Sequence, residues 1–109
     1  MNIKSLSPTF SVSPQIHSND IAAIVDQGFR SIVCNRPDNE FSGQPTFDEI
    51  KSTATSCGLE VAFIPVNPRN ISDLNIAEFK AAIQDLPKPI LGFCGTGSRT
   101  QKLWILSQI

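Results

Sequence analysis

The sequence predicts an α/β fold, a three-layer arrangement in which a mainly parallel central sheet carries helices on both faces. Three observations lead there. Short β-rich apolar runs, at Ile32-Val33-Cys34, Val61 to Val66 and Pro89 to Phe93, alternate along the chain with segments of helical periodicity. The runs lack polar–apolar alternation, as expected of strands covered on both sides. Glycines, prolines and helix-start signals punctuate the intervals, the pattern of parallel strands joined by right-handed crossovers.

Taken in order, Thr9-Phe10-Ser11-Val12-Ser13 alternates and stops at Pro14, which predicts a short strand near a sheet edge. Ser18 or Asn19 can cap a helix whose Ile21, Ile24 and Val25 share one face and which Gly28 ends. After the strand through Cys34 comes the polar stretch Arg36 to Glu40. Thr46, with Glu49 three residues on, reads as a capping box opening a helix with Phe47, Ile50, Ala54 and Cys57 on its core face. Val61 to Val66 is expected to be a buried strand that loses its pairing at Pro65. A helix opened by Asn75 and Glu78 should bury Ile76, Phe79, Ile83 and Leu86 before Pro87 stops it. Pro89 to Phe93 then runs straight into Cys94. Leu103, Trp104, Ile105, Leu106 and Ile109 are apolar on nearly all sides of the last helix, which is expected to pack deeply and to be the place for any oligomer contact.

A chain of 109 residues fits one domain spanning 1–109, and 40% hydrophobic with 17% charged residues suffices for a core. A net charge of −1 with scattered Lys and Arg argues against nucleic acid as a partner. No apolar run approaches the roughly 20 residues that span a bilayer, and Met1 to Phe10 lacks a signal peptide's apolar middle, so a soluble, cytoplasmic protein with no membrane partner is expected. Cys34, Cys57 and Cys94 contain no Cys-x-x-Cys pair, which favours free thiols over a disulfide framework or a metal site, and no cofactor is expected. Cys34 and Cys57 read as buried structural thiols, and His17, the single histidine, as a surface residue.

The chemistry concentrates in Cys94-Gly95-Thr96-Gly97-Ser98-Arg99-Thr100. In open parallel sheets ligands bind beyond the carboxyl ends of strands, and Cys94 stands at such an end with a helix starting just after it. Gly95 and Gly97 allow the amides to turn inward as an anion nest, and the helix dipole adds to the same point. Those dipoles and the Arg99 guanidinium would stabilise a Cys94 thiolate, which makes Cys94 the candidate nucleophile. The planar fork of Arg99 matches two oxygens of a tetrahedral oxyanion. Gly95, Thr96, Gly97, Ser98, Arg99 and Thr100 are the candidate substrate-binding set, with Ser98 and Thr100 able to donate to substrate or to the departing sulfur. The expected partner is a small anionic substrate or a phosphorylated ligand.

The set Asn35-Arg36-Pro37-Asp38, Gly43-Gln44-Pro45, Ile64-Pro65-Val66 and Cys94-x-x-Gly97-x-Arg99 followed by Leu103-Trp104 resembles the phosphatase-like domain family of beta-lactamase-hydrolase-like proteins, a bacterial branch of the protein tyrosine phosphatase superfamily. The resemblance covers nearly the whole chain. It implies a dual-specificity-phosphatase-like αβα fold, attack of Cys94 on phosphorus, phosphoryl binding by Arg99 and a covalent phospho-cysteine hydrolysed by water. The chain departs from the superfamily pattern at three points. Four residues separate Cys94 from Arg99 where tyrosine phosphatases have five, a spacing similar to that of rhodanese sulfurtransferases; a persulfide carrier on Cys94 is therefore an alternative, and a non-catalytic anion-binding module is another. Gly95 stands where relatives commonly carry Arg. Asn67 follows Ile64-Pro65-Val66 where dual-specificity enzymes carry an acidic residue, which leaves Asp38 as the candidate general acid, with Asp73 behind it.

Overall fold

The computed structural model describes residues 1–109. Its five strands are β1 (Lys4–Ser7), β2 (Phe10–Ser13), β3 (Ser31–Cys34), β4 (Glu60–Phe63) and β5 (Ile90–Phe93). They form one sheet in the order β1-β2-β5-β3-β4, parallel throughout except for the antiparallel β1–β2 pair. The helices are α1 (Ile21–Asp26), α2 (Phe47–Ser56), α3 (Asp73–Asp85) and α4 (Ser98–Ser107).

Successive strand residues point to opposite faces, so each continuous apolar run feeds two cores at once. Ile32 and Cys34 of β3 and Leu91 and Phe93 of β5 pack with Ile21 and Ile24 of α1 and Ile50 and Ala54 of α2. Val33 and Ile90 point the other way, toward Phe79 of α3 and Leu103 of α4. Phe10 joins that second core, edge-on to Phe79 with ring centroids 5.6 Å apart and stacked on Trp104 at 6.3 Å. The αβα layering is thus the expected one, with α1 and α2 on one face and α3 and α4 on the other.

Several local expectations are corrected. β2 lies next to the sheet edge, as expected, but the edge itself is residues 4–7, where Leu6 is the single apolar residue and which pair antiparallel outside it. β4 is the opposite edge and is only partly buried, and burial resumes beyond it at Ile64 and Val66. The helix α3 opens one turn earlier than expected: the Ser72 hydroxyl accepts the Asn75 amide while the Asn75 side chain accepts the Ser72 amide. At α2, Thr46 caps as expected by accepting from the Glu49 amide at 3.2 Å. Cys57 is exposed and not on the core face, because it falls beyond the last turn of α2, just before Gly58 at φ 84°. Nor is α4 buried all round: Leu103 is buried while Ile105 is 50% exposed, and Ile109 lies beyond the helix end and is 93% exposed.

Gly92, in the middle of β5, brings α4 close to the sheet. A Cβ there would lie 2.6 Å from Thr100 Cγ2 and 2.8 Å from Phe10 Cζ. Gly92→Ala is therefore expected to destabilise the fold by about 1–3 kcal/mol through overpacking. A melting temperature lower by several degrees would show it, and an unchanged melt would mean that α4 yields freely.

Candidate active site

β5 ends at Phe93, and the chain turns at once through Cys94 to Gly97 into α4. Gly97 caps the helix at φ 94°, in the left-handed region that glycine adopts without strain, and its amide is turned back to donate to Cys94 Sγ at 3.0 Å. That backbone–sulfur bond lies within a buried site, Cys94 itself being 1% exposed. Gly95 O accepts from the Gln15 amide at 3.2 Å, which ties the loop to the segment after β2. Thr96 and Ser98 are exposed and occupied with each other: the hydroxyls are 3.0 Å apart, and the Ser98 amide donates to Thr96 Oγ1 at 3.3 Å. Beside them an open concavity of roughly 300 Å³ extends toward Lys4, Ser13 and Gln101.

Thr100 is placed differently from the rest of the predicted set. It is fully buried, and its hydroxyl donates to Asn35 Oδ1 at 2.9 Å, not to the sulfur. Asn35, also fully buried, spends its amide group on Ile64 O at 2.9 Å, and its backbone bonds Phe93 O and the Val66 amide. One side chain therefore ties together the start of α4, the end of β3 and the loop after β4. The polar residue ending an apolar strand was the sequence signal for it.

Arg99 reaches across the carboxyl end of the sheet. Its Nη1 donates to Val66 O and to Glu40 Oε2, both at 2.9 Å, and its Nη2 donates to Glu40 Oε1 at 2.9 Å. The same carboxylate accepts from Arg36 Nε at 3.0 Å. With Arg99 first and Arg36 second as hydrogen-bonding cations, Glu40 is held below the usual carboxylate range and stays ionised. Arg36 thus pairs with Glu40, and its Nη1 also donates to Gln15 Oε1 at 3.0 Å. The Arg36 guanidinium sits 3.5 Å from where a Cβ on Gly95 would be. Sequence reasoning singled out neither Glu40 nor Gln15, because the cluster is assembled from three segments distant in sequence.

Asp38 Oδ1 accepts the amide of Phe47, the first residue of α2, at 2.8 Å. Cys34 lies close enough to both Asp38 and Cys94 for charge on either to disfavour its thiolate. Burial is the larger cause, and the Cys34 thiol is pushed up to about 12. It remains a neutral donor to Arg36 O at 3.4 Å, in keeping with a structural thiol. His17 is exposed, as expected.

The family described as beta-lactamase hydrolase-like protein, phosphatase-like domain, matches residues 2–109. The chain belongs to that family. The Beta-lactamase hydrolase-like protein of Agrobacterium fabrum is 34% identical over 89 residues, 82% of this chain and 21% of its own length. Its counterpart in Xylella fastidiosa strain Temecula1 is 30% identical over all 109 residues, 25% of its own length. The chain thus spans about a quarter or less of the curated relatives it matches. Among solved structures, one from Neisseria meningitidis z2491 described as a "putative phosphatase" superposes with a TM-score of 0.89 at 34% identity, covering 95% of this chain and 74% of that one. The core catalytic domain of a PP-IP phosphatase from S. cerevisiae, in complex with citrate, shares the fold at a TM-score of 0.72 and 17% identity, covering 94% of this chain and 62% of that one. These relatives match the dual-specificity-phosphatase-like αβα fold expected of this phosphatase-like domain.

Proposed function

We propose that this phosphatase-like domain hydrolyses a phosphate monoester through a covalent intermediate on Cys94. The observation that carries the proposal is the Gly97 amide aimed at Cys94 Sγ at 3.0 Å, at the start of the helix that also carries Arg99. A fixed backbone donor stabilises negative charge on sulfur both before attack and when the sulfur departs. In the first step the Cys94 sulfur bonds phosphorus as the ester oxygen leaves with a proton, and in the second water attacks the phospho-cysteine and releases the sulfur. Arg99 binds phosphoryl oxygens. Thr96 and Ser98, at the edge of the open concavity, meet the rest of the substrate.

Asp38, which forms no ion pair, is the proposed acid. Asp38→Asn tests this cleanly, since asparagine can still accept the Phe47 amide through its own Oδ1. The variant should slow a substrate with a poor leaving group, such as phenyl phosphate, by about 10²-fold, and p-nitrophenyl phosphate far less; equal slowing would remove Asp38 from the mechanism.

The short Cys94-to-Arg99 spacing supports a second reading, a sulfurtransferase carrying a persulfide on Cys94. Purified protein separates the two. Phosphate release from p-nitrophenyl phosphate is the expected result, whereas thiocyanate formed from thiosulfate and cyanide, without phosphate release, would transfer the assignment to sulfur chemistry. Neither turnover, with saturable phosphate binding, would leave an anion-binding module.

A further inference from the structure

Glu40 is neither the predicted nucleophile nor the predicted acid, yet its carboxylate lies between the guanidinium groups of Arg36 and Arg99. It takes three charge-assisted hydrogen bonds at 2.9–3.0 Å from two guanidinium groups. One of these groups, Arg99, belongs to the anion-binding loop. The other, Arg36, is fixed over the same loop by two contacts made through one residue: Gln15 accepts from Arg36 Nη1 with its side chain and donates to Gly95 O with its backbone. Any side chain at position 95 would extend toward the Arg36 guanidinium, 3.5 Å from the Cβ position. Glu40 itself lies on an exposed stretch with positive φ at Asn39 and Gly43, outside any strand or helix. The two arginine side chains are only 13% and 10% exposed, whereas that of Glu40 is 26% exposed. The cations are therefore built in, and the anion between them sits on the more exposed partner.

We propose that Arg36 is a second oxyanion-binding residue beside Arg99, and that Glu40 is an internal ligand whose carboxylate exchanges with the dianionic group of the substrate. Charge decides the ligand class. With Glu40 in place the cluster of two guanidinia and one carboxylate carries +1; with Glu40 released and a dianion bound, the two guanidinia are fully neutralised. A monoanion offers no more charge than Glu40 already supplies, and it must compete with a tethered carboxylate whose effective concentration is on the order of millimolar. The site should therefore select terminal phosphate monoesters over diesters. This assignment rests on the phosphate-ester reading above for its physiological ligand, but not for its test.

Calorimetric titration of inorganic phosphate and of dimethyl phosphate into the wild-type protein and its variants at pH 8 tests the exchange. Glu40→Gln should bind phosphate about tenfold more tightly than wild type, because the competent open state no longer has to be paid for. Within the Glu40→Gln protein, phosphate should outbind dimethyl phosphate by at least about tenfold, and adding Arg36→Met should weaken phosphate by about the same factor. Thermal melts verify that each protein is folded, and Glu40→Ala serves as a second variant if Glu40→Gln melts early. Weaker phosphate binding in both Glu40 variants would overturn the exchange and make Glu40 a residue that merely orients Arg99. Unchanged phosphate affinity on adding Arg36→Met would remove Arg36 from the site. Expected binding without aryl phosphate turnover supports the exchange and rejects only the hydrolase; turnover with the opposite binding trend rejects only the exchange.

Discussion

Cys94→Ser is expected to lower turnover of p-nitrophenyl phosphate by at least about 10⁴-fold while leaving phosphate affinity within about threefold of wild type. A serine hydroxyl is not ionised near neutral pH, and alkoxide is a far poorer leaving group than thiolate, so both formation and breakdown of the intermediate suffer. Binding is spared because a serine hydroxyl can still accept the Gly97 amide, while Arg99 is placed by Glu40 and the Val66 carbonyl and the start of α4 by the bond from Thr100 to Asn35. The measurement pairs steady-state kinetics with phosphate calorimetry. A Cys94→Ser protein that retained a tenth of wild-type turnover would show that the reaction proceeds without attack by sulfur.

Asn35→Leu is expected to cost about 2–6 kcal/mol of stability, a large share of the roughly 5–15 kcal/mol that holds a typical domain folded. The substitution strands two buried groups at once, the Thr100 hydroxyl and the Ile64 carbonyl, each with a penalty of about 1–3 kcal/mol. Thr100→Val, which removes only the donor to Asn35, should cost about half as much. Because both partners flank the two groups that orient Arg99, the helix start and the Val66 carbonyl, Thr100→Val should also raise KM for an aryl phosphate more than it lowers kcat. Urea unfolding supplies the first number and kinetics the second; equal stability of Asn35→Leu and wild type would mean that water satisfies the freed groups.

Much of this was legible in the residues because local rules and tertiary packing agree. The apolar runs at β3 and β5 are long enough to fill both faces, and Gly97 before Ser98 is a turn followed by a helix start in any context. What the sequence concealed was mostly a matter of edges and of distance. β4 reads as buried because Val61, Ala62 and Phe63 are apolar, but no strand lies beyond it, and Phe63 covers itself by stacking on Phe47 at 4.6 Å. β1 carries a single apolar residue, Leu6, so no period emerges. Ile105 and Ile109 look like core because a helical wheel cannot tell an inward apolar face from an uncovered one. At the site, the segment from Cys94 to Arg99 is contiguous and therefore readable, whereas the local Arg36–Glu40 pair meets Gln15 and Arg99 only once the chain has crossed the sheet. The Thr100 hydroxyl likewise donates to a residue 65 positions away.

The donor that reaches the sulfur of residue 94 is a peptide N–H and has no side chain of its own to mutate. Codon changes at residue 97 could disturb it only by bending the chain away from φ 94°, a route that would disrupt the first turn of the last helix as well. Inactivating variants that leave the molecule folded should therefore cluster at the thiol and the arginines, and the sulfur's support should be among the last features that genetic drift erodes.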